Sequence, residues 1–565
     1  MDNLRRDLLK FSPLALAGLA PHAAFSQSQR TGPRAPMMFD VRQFGAQGTG
    51  RALDTPAINA AIEAASAGGC GTVYLPAGTY LCFSIRLKSN VHLYLDQGAI
   101  LLAAASPLPG QTTGEMGGRY DAAEPQGAWE PFQDYGHNHW HNSLIWGEGL
   151  HDIGISGPGL IYGKGLSFGS GPGRVTDGAT FSLDRERGGV RVDSTPRPPR
   201  GDYTMYQAEQ PGVGNKAIAL KNCRNVQLKD FSILKGGHFG LLLTGVDNLT
   251  IDNLTIDTDR DGMDIDCCKN VHVSNCTVNS PWDDGICPKS SYALGFAKAT
   301  ENVTIANCIV SGCYELGTVL NGSFKKFAAG VKGVGRTGRI KCGTESNGGF
   351  KNITISNCVL EGCNGLALES EDGALCEDIT ISNITLRDCI NGPLFFRLGS
   401  RLRGPKETTK VGTLKRILVS NITSFNQAPR LCSILSGIPG YPIEDVKIAN
   451  FYAHHQGGAD AAQAAIVPPE NEDKYPDPGM FGPMPAQGFF LRHILNLEMS
   501  HVEIAPQAPD ARPSFHLHDV TRADFLAITA PTPAAFALHQ VTDLRVHLSR
   551  AVKDTVLASA DNQTI

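Results

Sequence analysis

Five acidic side chains fall within ten residues in Asp257-Thr258-Asp259-Arg260-Asp261-Gly262-Met263-Asp264-Ile265-Asp266, and Trp282-Asp283-Asp284-Gly285 follows close behind. Asp261 and Asp283 are 22 residues apart (283 − 261). Carboxylates gathered on a rigid surface are what glycosidic bond cleavage requires: one protonates the departing oxygen while another activates water or attacks directly. Crowding like charges on one face also pushes at least one carboxyl toward the neutral form, which supplies an acid near working pH.

Two other uses of these aspartates compete with that chemistry. Asp257, Asp259, Asp261 and Gly262 match the opening positions of a calcium-binding loop, but its twelfth position is Cys268 in place of a bidentate glutamate. Alternatively, the aspartates cap turns along an exterior edge. That structural role is assigned to Asp257, Asp264 and Asp266, and catalysis to Asp261, Asp283 and Asp284, because only the latter coincide on neighbouring repeats.

The repeats are what must position them. A phrase of Asn or Asp, alternating apolar residues and a second Asn begins at Asn225, Asn248, Asn270, Asn302, Asn352, Asp378, Arg416 and Asp445, with weaker copies at Asn90, Asp152 and Asn496. The tightest intervals are 23 (248 − 225) and 22 (270 − 248) residues, the length of one solenoid coil. Period-2 alternation rich in Val, Ile and Thr makes the units strands. Hairpin dipeptides are scarce between them, which disfavours an up-and-down antiparallel fold. The fold expected is all-β, a single-stranded right-handed parallel β-helix over 37–565. Asp283 and Asp284 can both face one cleft only at a bend, for which Ser280-Pro281 and Gly285 provide. Cys276, Cys308 and Cys358 hold one place in the phrase and are expected to stack as small core fillers. The odd total of 15 cysteines argues against a disulfide framework.

Ahead of the repeats, Asp54 is an N-cap candidate, Pro56 suits a first turn, and Ile58 and Ile62 lie one helical turn apart, with Gly68-Gly69 as the stop. This helix would close the open end of the solenoid. From Asn496 onward the alternation weakens, and final coils or a terminal cap are expected. Stretches 103–145, 166–213, 323–338 and 457–487 are long insertions whose aromatic residues Trp129, Tyr135, Trp140 and Tyr203 are candidates to stack on sugar rings. At the N-terminus, Arg5-Arg6 and the apolar run Leu14–Ala20 resemble a twin-arginine export signal over 1–26, implying a periplasmic or secreted protein. The run is too short to span a bilayer. With 50 basic against 55 acidic residues, no nucleic-acid footprint or basic membrane anchor is implied.

At the acidic stretch the chain resembles glycoside hydrolase family 28, the polygalacturonases and rhamnogalacturonan hydrolases. The family's Asn-Thr-Asp falls on Asp259-Arg260-Asp261 and its Gly-Asp-Asp on Trp282-Asp283-Asp284, continuing into Gly285-Ile286-Cys287-Pro288-Lys289-Ser290. The likeness runs from about Phe39 to Asn450 and includes Ile155-Ser156-Gly157-Pro158-Gly159-Leu160-Ile161. It implies a pectin-lyase-like β-helix and inversion at the anomeric carbon, with Asp283 as general acid and Asp261 and Asp284 holding the attacking water. The family's histidine has no counterpart in Gly312-Cys313-Tyr314-Glu315-Leu316-Gly317. Its Arg-Ile-Lys aligns better with Leu366-Ala367-Leu368-Glu369 than with the literal Arg339-Ile340-Lys341. Lost cations there would weaken recognition of a galacturonate carboxylate. Lys289, Lys341, Arg397, Arg401 and Arg403 are possible substitutes. Substrate contacts are assigned to Lys289, Tyr314, Glu315, Lys341, Glu345, Glu369, Arg397 and His238, with no metal and no cofactor. The expected activity is exo-acting hydrolysis of a pectin-type acidic polysaccharide by a monomer. The rivals are a calcium-dependent lyase using Lys289 or Tyr314 as base, and a non-catalytic carbohydrate-binding β-helix.

Overall fold

Asparagine in the left-handed backbone region turns each coil. Asn225, Asn248, Asn270, Asn302 and Asn352 all have φ between 55° and 57°, a conformation that asparagine tolerates better than other residues with a side chain. The amide of each donates to the carbonyl oxygen of the one a coil earlier, at 3.0, 3.0, 2.9 and 3.0 Å from Asn248 to Asn352. Asp378, Arg416 and Asp445 continue the corner with φ of 61°, 54° and 55°. A second ladder runs through Asn275, Asn307, Asn357, Asn383, Asn421 and Asn450. The repeated phrase is therefore a repeated corner.

A computed structural model describes residues 38–565 except 108–110, 126, 135–136, 138, 168–179, 185–188, 194–210, 327–335, 429–430 and 532–534. The described residues belong to one unit, Met37–Ile565. The proposed signal over 1–26, Tyr135, Tyr203 and most of 166–213 lie outside them. Among the described residues 35 strands join in one sheet, in which strands of successive coils pair in parallel and only the last two run antiparallel, a right-handed β-helix with inward apolar and outward polar residues. Cys276, Cys308 and Cys358 are buried in one register, as their shared place in the phrase requires. Burying one such aliphatic neighbour as Ile305 or Ile355 contributes about 1.5–3 kcal/mol, so a charged substitution there would break the coil.

Helix α1, Thr55–Ala67, covers the first coil with Ile58 and Ile62 fully buried and ends at Gly68. Asp54 does not cap it. Its backbone is already helical, and its carboxylate accepts from the N–H groups of Gln47 (2.6 Å) and Gly48 (3.1 Å), pinning the preceding loop. Among the described residues no helix is long and apolar enough to cross a membrane.

One face of the solenoid carries the strands that matter for chemistry: β1 (Phe239–Thr244), β2 (Asp261–Asp266), β3 (Ile286–Lys289), β4 (Ile340–Cys342), β5 (Leu366–Ser370), β6 (Leu394–Leu398), β7 (Ser433–Ser436), β8 (Phe489–Ala508), β9 (Phe515–Leu526) and β10 (Phe536–His547). Each pairs in parallel with the next. After β10 the direction reverses. Strands β11 (Thr555–Ala560) and β12 (Gln563–Thr564) pair antiparallel with β10 and cover its free edge.

Candidate active site

Backbone contact without side chains makes the bend that presents the aspartates. Gly240, Gly262 and Gly285 stack on consecutive coils. A Cβ on Gly262 would lie 2.4 Å from the carbonyl oxygen of Gly285, and one on Gly240 2.6 Å from that of Gly262. The Gly262 N–H donates to the Asp284 carbonyl at 2.9 Å, and the Ser280 hydroxyl to the Asp283 carbonyl at 3.0 Å, closing the turn after Pro281. Asp283 and Asp284 thereby leave the strand before its alternation starts. One carboxylate oxygen each of Asp261, Asp283 and Asp284 lies within 4.8 Å of the others.

Their surroundings differ. Asp284 is buried between two cations, Arg339 Nε at 2.7 Å and Lys341 Nζ at 2.5 Å. Burial alone would raise its proton affinity, but Arg339, Lys341 and Lys289 hold it well below the usual carboxylate range. Asp261 is the opposite case. Burial, then the charges of Asp283 and Asp264, push it well above that range. Asp283 is the most exposed of the three, with a side chain 17 % accessible, and Arg260 Nη2 stands 2.5 Å from its Oδ2. The site thus contains a carboxyl whose charged form two cations favour, one whose neutral form its surroundings favour, and one paired with Arg260 nearer the surface.

A buried layer supports them. Lys289 faces Asp264 at 3.7 Å. Burial would lower its affinity for a proton, but Asp264, Glu345 and Asp261 more than offset it and keep the ammonium charged. Asp264, assigned by the repeat pattern to exterior capping, instead lies here beside His137 (3.5 Å), and burial raises its carboxyl to about 6. Outward alternation places Asp264 over the face, while the 103–145 insertion folds back on top of it. Asp257 and Asp266, given the same exterior role, are buried too and serve as internal hydrogen-bond acceptors. Asp257 accepts from Asn279 Nδ2 at 2.9 Å, and Asp266 from the N–H and hydroxyl of Ser291 at 2.8 and 2.6 Å.

Among the assigned substrate contacts, Lys289, Lys341 and Glu369 join this cluster. Glu369 accepts from Thr344 Oγ1 at 2.9 Å and lies 3.7 Å from Arg339. Glu345 accepts from the Asp134 N–H at 2.6 Å and pairs with His137 Nδ1, so it anchors the insertion. Arg397 is no substrate contact. It is fully buried, and its guanidinium donates to Ser436 Oγ, to the Gly437 carbonyl and to the carbonyls of Glu470 and Asn471, at 3.0–3.2 Å, because the 457–487 insertion crosses directly over β6. Tyr314 donates its hydroxyl to Glu361 in a hairpin with Lys325–Lys326. The side chain of Glu315 lies outside the described residues. His238 is buried against Phe239, ring centroids 4.4 Å apart. Trp140 does not offer a stacking face either: it is buried with Phe239 and Leu242, and Lys221 lies over its ring at 4.2 Å.

Two insertions wall the cleft. From 457–487, Phe481 and Met484 pack on Phe395, Ile434 and Phe490, and the Tyr475 hydroxyl reaches Thr344 Oγ1 at 3.1 Å. From 103–145, Asp134 pairs with Arg401 and Arg403. Asp134, His137 and Arg339 were not singled out from sequence as site residues. The literal Arg339-Ile340-Lys341 was the one available signal.

Sequence and structure comparisons agree with this architecture. Residues 38–113 match the family described as rhamnogalacturonase A/epimerase, pectate lyase-like, and 216–400 match the right-handed β-helix region. A probable polygalacturonase of Vitis vinifera is 25% identical over 335 residues, covering 53% of this chain and 57% of that protein. A mannuronan C5-epimerase of Azotobacter vinelandii is 49% identical over 65 residues, 10% of this chain and 5% of the epimerase. The chain therefore spans little more than half the length of the grape relative and a small part of the epimerase. A family 28 exopolygalacturonase of Yersinia enterocolitica superposes with a TM-score of 0.54 at 17% identity, covering 92% of this chain and 79% of that one. An exopolygalacturonase of Thermotoga maritima gives 0.52 at 16%, covering 74% and 87%. Those structures share the fold. The likeness to family 28 holds as a divergent one.

Proposed function

From the premise of a divergent likeness to family 28, we propose that this protein is an exported, inverting glycoside hydrolase. Its substrate is a pectin-type acidic polysaccharide or oligosaccharide, rhamnogalacturonan-like or substituted galacturonan. The observation that carries this reading is the convergence of Asp261, Asp283 and Asp284 within 4.8 Å from adjacent coils. Asp283, the accessible member, gives its proton to the leaving oxygen. Asp284, held as an anion by Arg339 and Lys341, orients and deprotonates the attacking water, which Asp261 helps to hold. The carboxylates stand closer than the usual inverting range, so inversion here follows the family resemblance and not the separation. The walls built by 103–145 and 457–487 close the groove and favour exo-action on chain ends.

The lyase reading is less well supported. Lys289 is kept charged by Asp264, and burial and Glu361 raise the Tyr314 hydroxyl, so neither is poised as a base. Both oxygens of Asp284 already face cations, which leaves that carboxylate ill-placed to ligate calcium. The decisive experiment screens pectic and related polysaccharides with wild type and Asp283→Asn in parallel, following products by chromatography. Release of reducing ends by wild type alone supports the proposal. Ultraviolet-absorbing unsaturated products, or sugar binding without turnover and indifferent to Asp283→Asn, would replace it.

A further inference from the structure

The outward face of the β1–β10 ladder continues past the cleft. β9 stands six rungs beyond β3, about 29 Å at about 4.8 Å per rung. Against β9 and β10 lies a pocket of about 230 Å³, lined by His516, His518 and His539 and, from the 457–487 insertion, by Ile466, Val467 and Pro468. The His516 ring stacks on that of His539 with centroids 4.9 Å apart. It is 9 % exposed, and its Nδ1 has no hydrogen-bond partner. Buried polar atoms are almost always paired, because leaving one unpaired is costly. An unpaired ring nitrogen in a pocket wall therefore marks a place for a ligand's polar group. The insertion joins this pocket to the cleft. The Pro468 and Pro469 carbonyls accept from Arg492 of β8, those of Glu470 and Asn471 from Arg397 of β6, and Tyr475 reaches Thr344 just past β4. Pocket and cleft are two sides of one wall.

We propose that this pocket binds a neutral sugar, a branch or terminal unit of the polysaccharide whose backbone is cut at the aspartates. The choice of a saccharide rests on the hydrolase reading. A sugar ring presents C–H groups on its faces and hydroxyls around its edge. The imidazole faces and the side chains of Ile466 and Val467, the latter 81 % exposed at the rim, suit the first. The amides of Gln540 and Asn562 and the Asp561 carboxylate, which complete the lining, suit the second as donors and acceptors. These groups are already held in place. Asn562 Oδ1 lies 3.0 Å from His539 Nδ1, and Asp561 Oδ1 accepts from the Gln540 N–H at 3.0 Å. Charge selects the kind of sugar. Among the described residues no lysine or arginine lines the pocket, and Arg492, in register with His518, turns its guanidinium to the proline carbonyls. Burial, then His539, His518 and Arg492, lower His516 to about 4, so its neutral form is favoured. A uronate would meet the Asp561 carboxylate with no cation opposite, the reverse of the cleft with Arg339, Lys341 and Lys289.

Calorimetry of the full chain with galactose, rhamnose, arabinose and galacturonate tests this. At least one neutral sugar should bind, galacturonate should not displace it, and Asp283→Asn should leave its affinity unchanged. His516→Ala should weaken it about tenfold, as should Asn562→Gly, which keeps the left-handed backbone at φ 50° while removing the amide. Should His516→Ala fail to fold, the exposed Asn562 decides alone. No binding of any neutral sugar, or binding that Asn562→Gly and a folded His516→Ala leave intact, overturns the proposal. Binding lost in Asp283→Asn places the sugar in the cleft and overturns it as well. Binding that depends on His516 in a protein that cleaves no polysaccharide leaves the pocket standing and removes the hydrolase reading instead.

Discussion

Replacing Arg339 by methionine isolates the interaction that keeps Asp284 ionised. The Asp284 side chain is 1 % accessible and Arg339 3 %. Removing every partner of a buried charge costs about 3–5 kcal/mol. Here Lys341 remains on Oδ2, so Oδ1 alone is stranded, and about 2 kcal/mol should be lost, in line with an orphaned buried acceptor. Glu369, 3.7 Å from the same guanidinium, loses a neighbour as well. Chemical denaturation of Arg339→Met, Asp284→Asn and the double variant closes a cycle in which the Arg339 cost should shrink to under about 1 kcal/mol once Asp284 is neutral. The pH dependence has a definite sign. A carboxyl whose folded proton affinity is depressed contributes stability that is present above its unfolded value, about 3.9, and lost as pH falls through the folded one. Arg339→Met should therefore be penalised most at neutral pH, with the gap to wild type narrowing as acid is added. A cost unchanged by Asp284→Asn, or a gap that widens in acid, would show that the cations do not hold Asp284.

Other consequences can be checked singly. Asn302→Ala breaks the links to both Asn270 and Asn352 and puts alanine at φ 57°, so it should cost about 2 kcal/mol, whereas Asn302→Gly keeps the bend and should cost about half. His137, buried between Glu345 and Asp264, has its proton affinity lowered by burial but raised on balance by those carboxylates. The stability it adds is full below its unfolded value, about 6.5, and fades as pH rises through the folded one. Hydrogen exchange near 130–140 should accelerate with rising pH in wild type and stay fast in His137→Gln. Chelation should leave activity unchanged, and an assay with and without excess chelator reads this directly. Tyr475→Ala should lengthen the released products by opening one wall, as chromatography of a polymer digest would show.

The coils were legible because the corner is written mostly in one residue type, with Asp378, Arg416 and Asp445 as the exceptions. Asparagine at φ near 55° recurs at coil length, so counting 22 residues from Asp261 to Asp283 already put them on neighbouring turns. Ser280-Pro281 and Gly285 announced the bend, although the close stacking of Gly262 on Gly285 emerges only when coils are superposed. The insertions obey no period. Nothing in the spacing of Asp134 or His137 says that they return over Asp264, nor that Trp140 turns inward. Arg397 misled for a related reason: a cation on the catalytic face reads as a substrate contact unless one knows that Glu470 and Asn471 lie above it. Alternation assigns a side chain to a face but not to what later covers that face.

The reversal after β10 carries a cost for any shortened version of the chain. Val541, Leu544 and Val546 belong to the last parallel rung, and among the described residues the antiparallel run from Thr555 to Ile565 occupies amides and carbonyls beyond it. A stack that adds rungs by backbone pairing has no intrinsic stopping point, and an uncovered rung is a template for another molecule's strand. Trimming the chain back to His547 should leave the aspartate-bearing coils folded yet bare an edge along which copies join end to end, with fibres appearing in proportion to concentration.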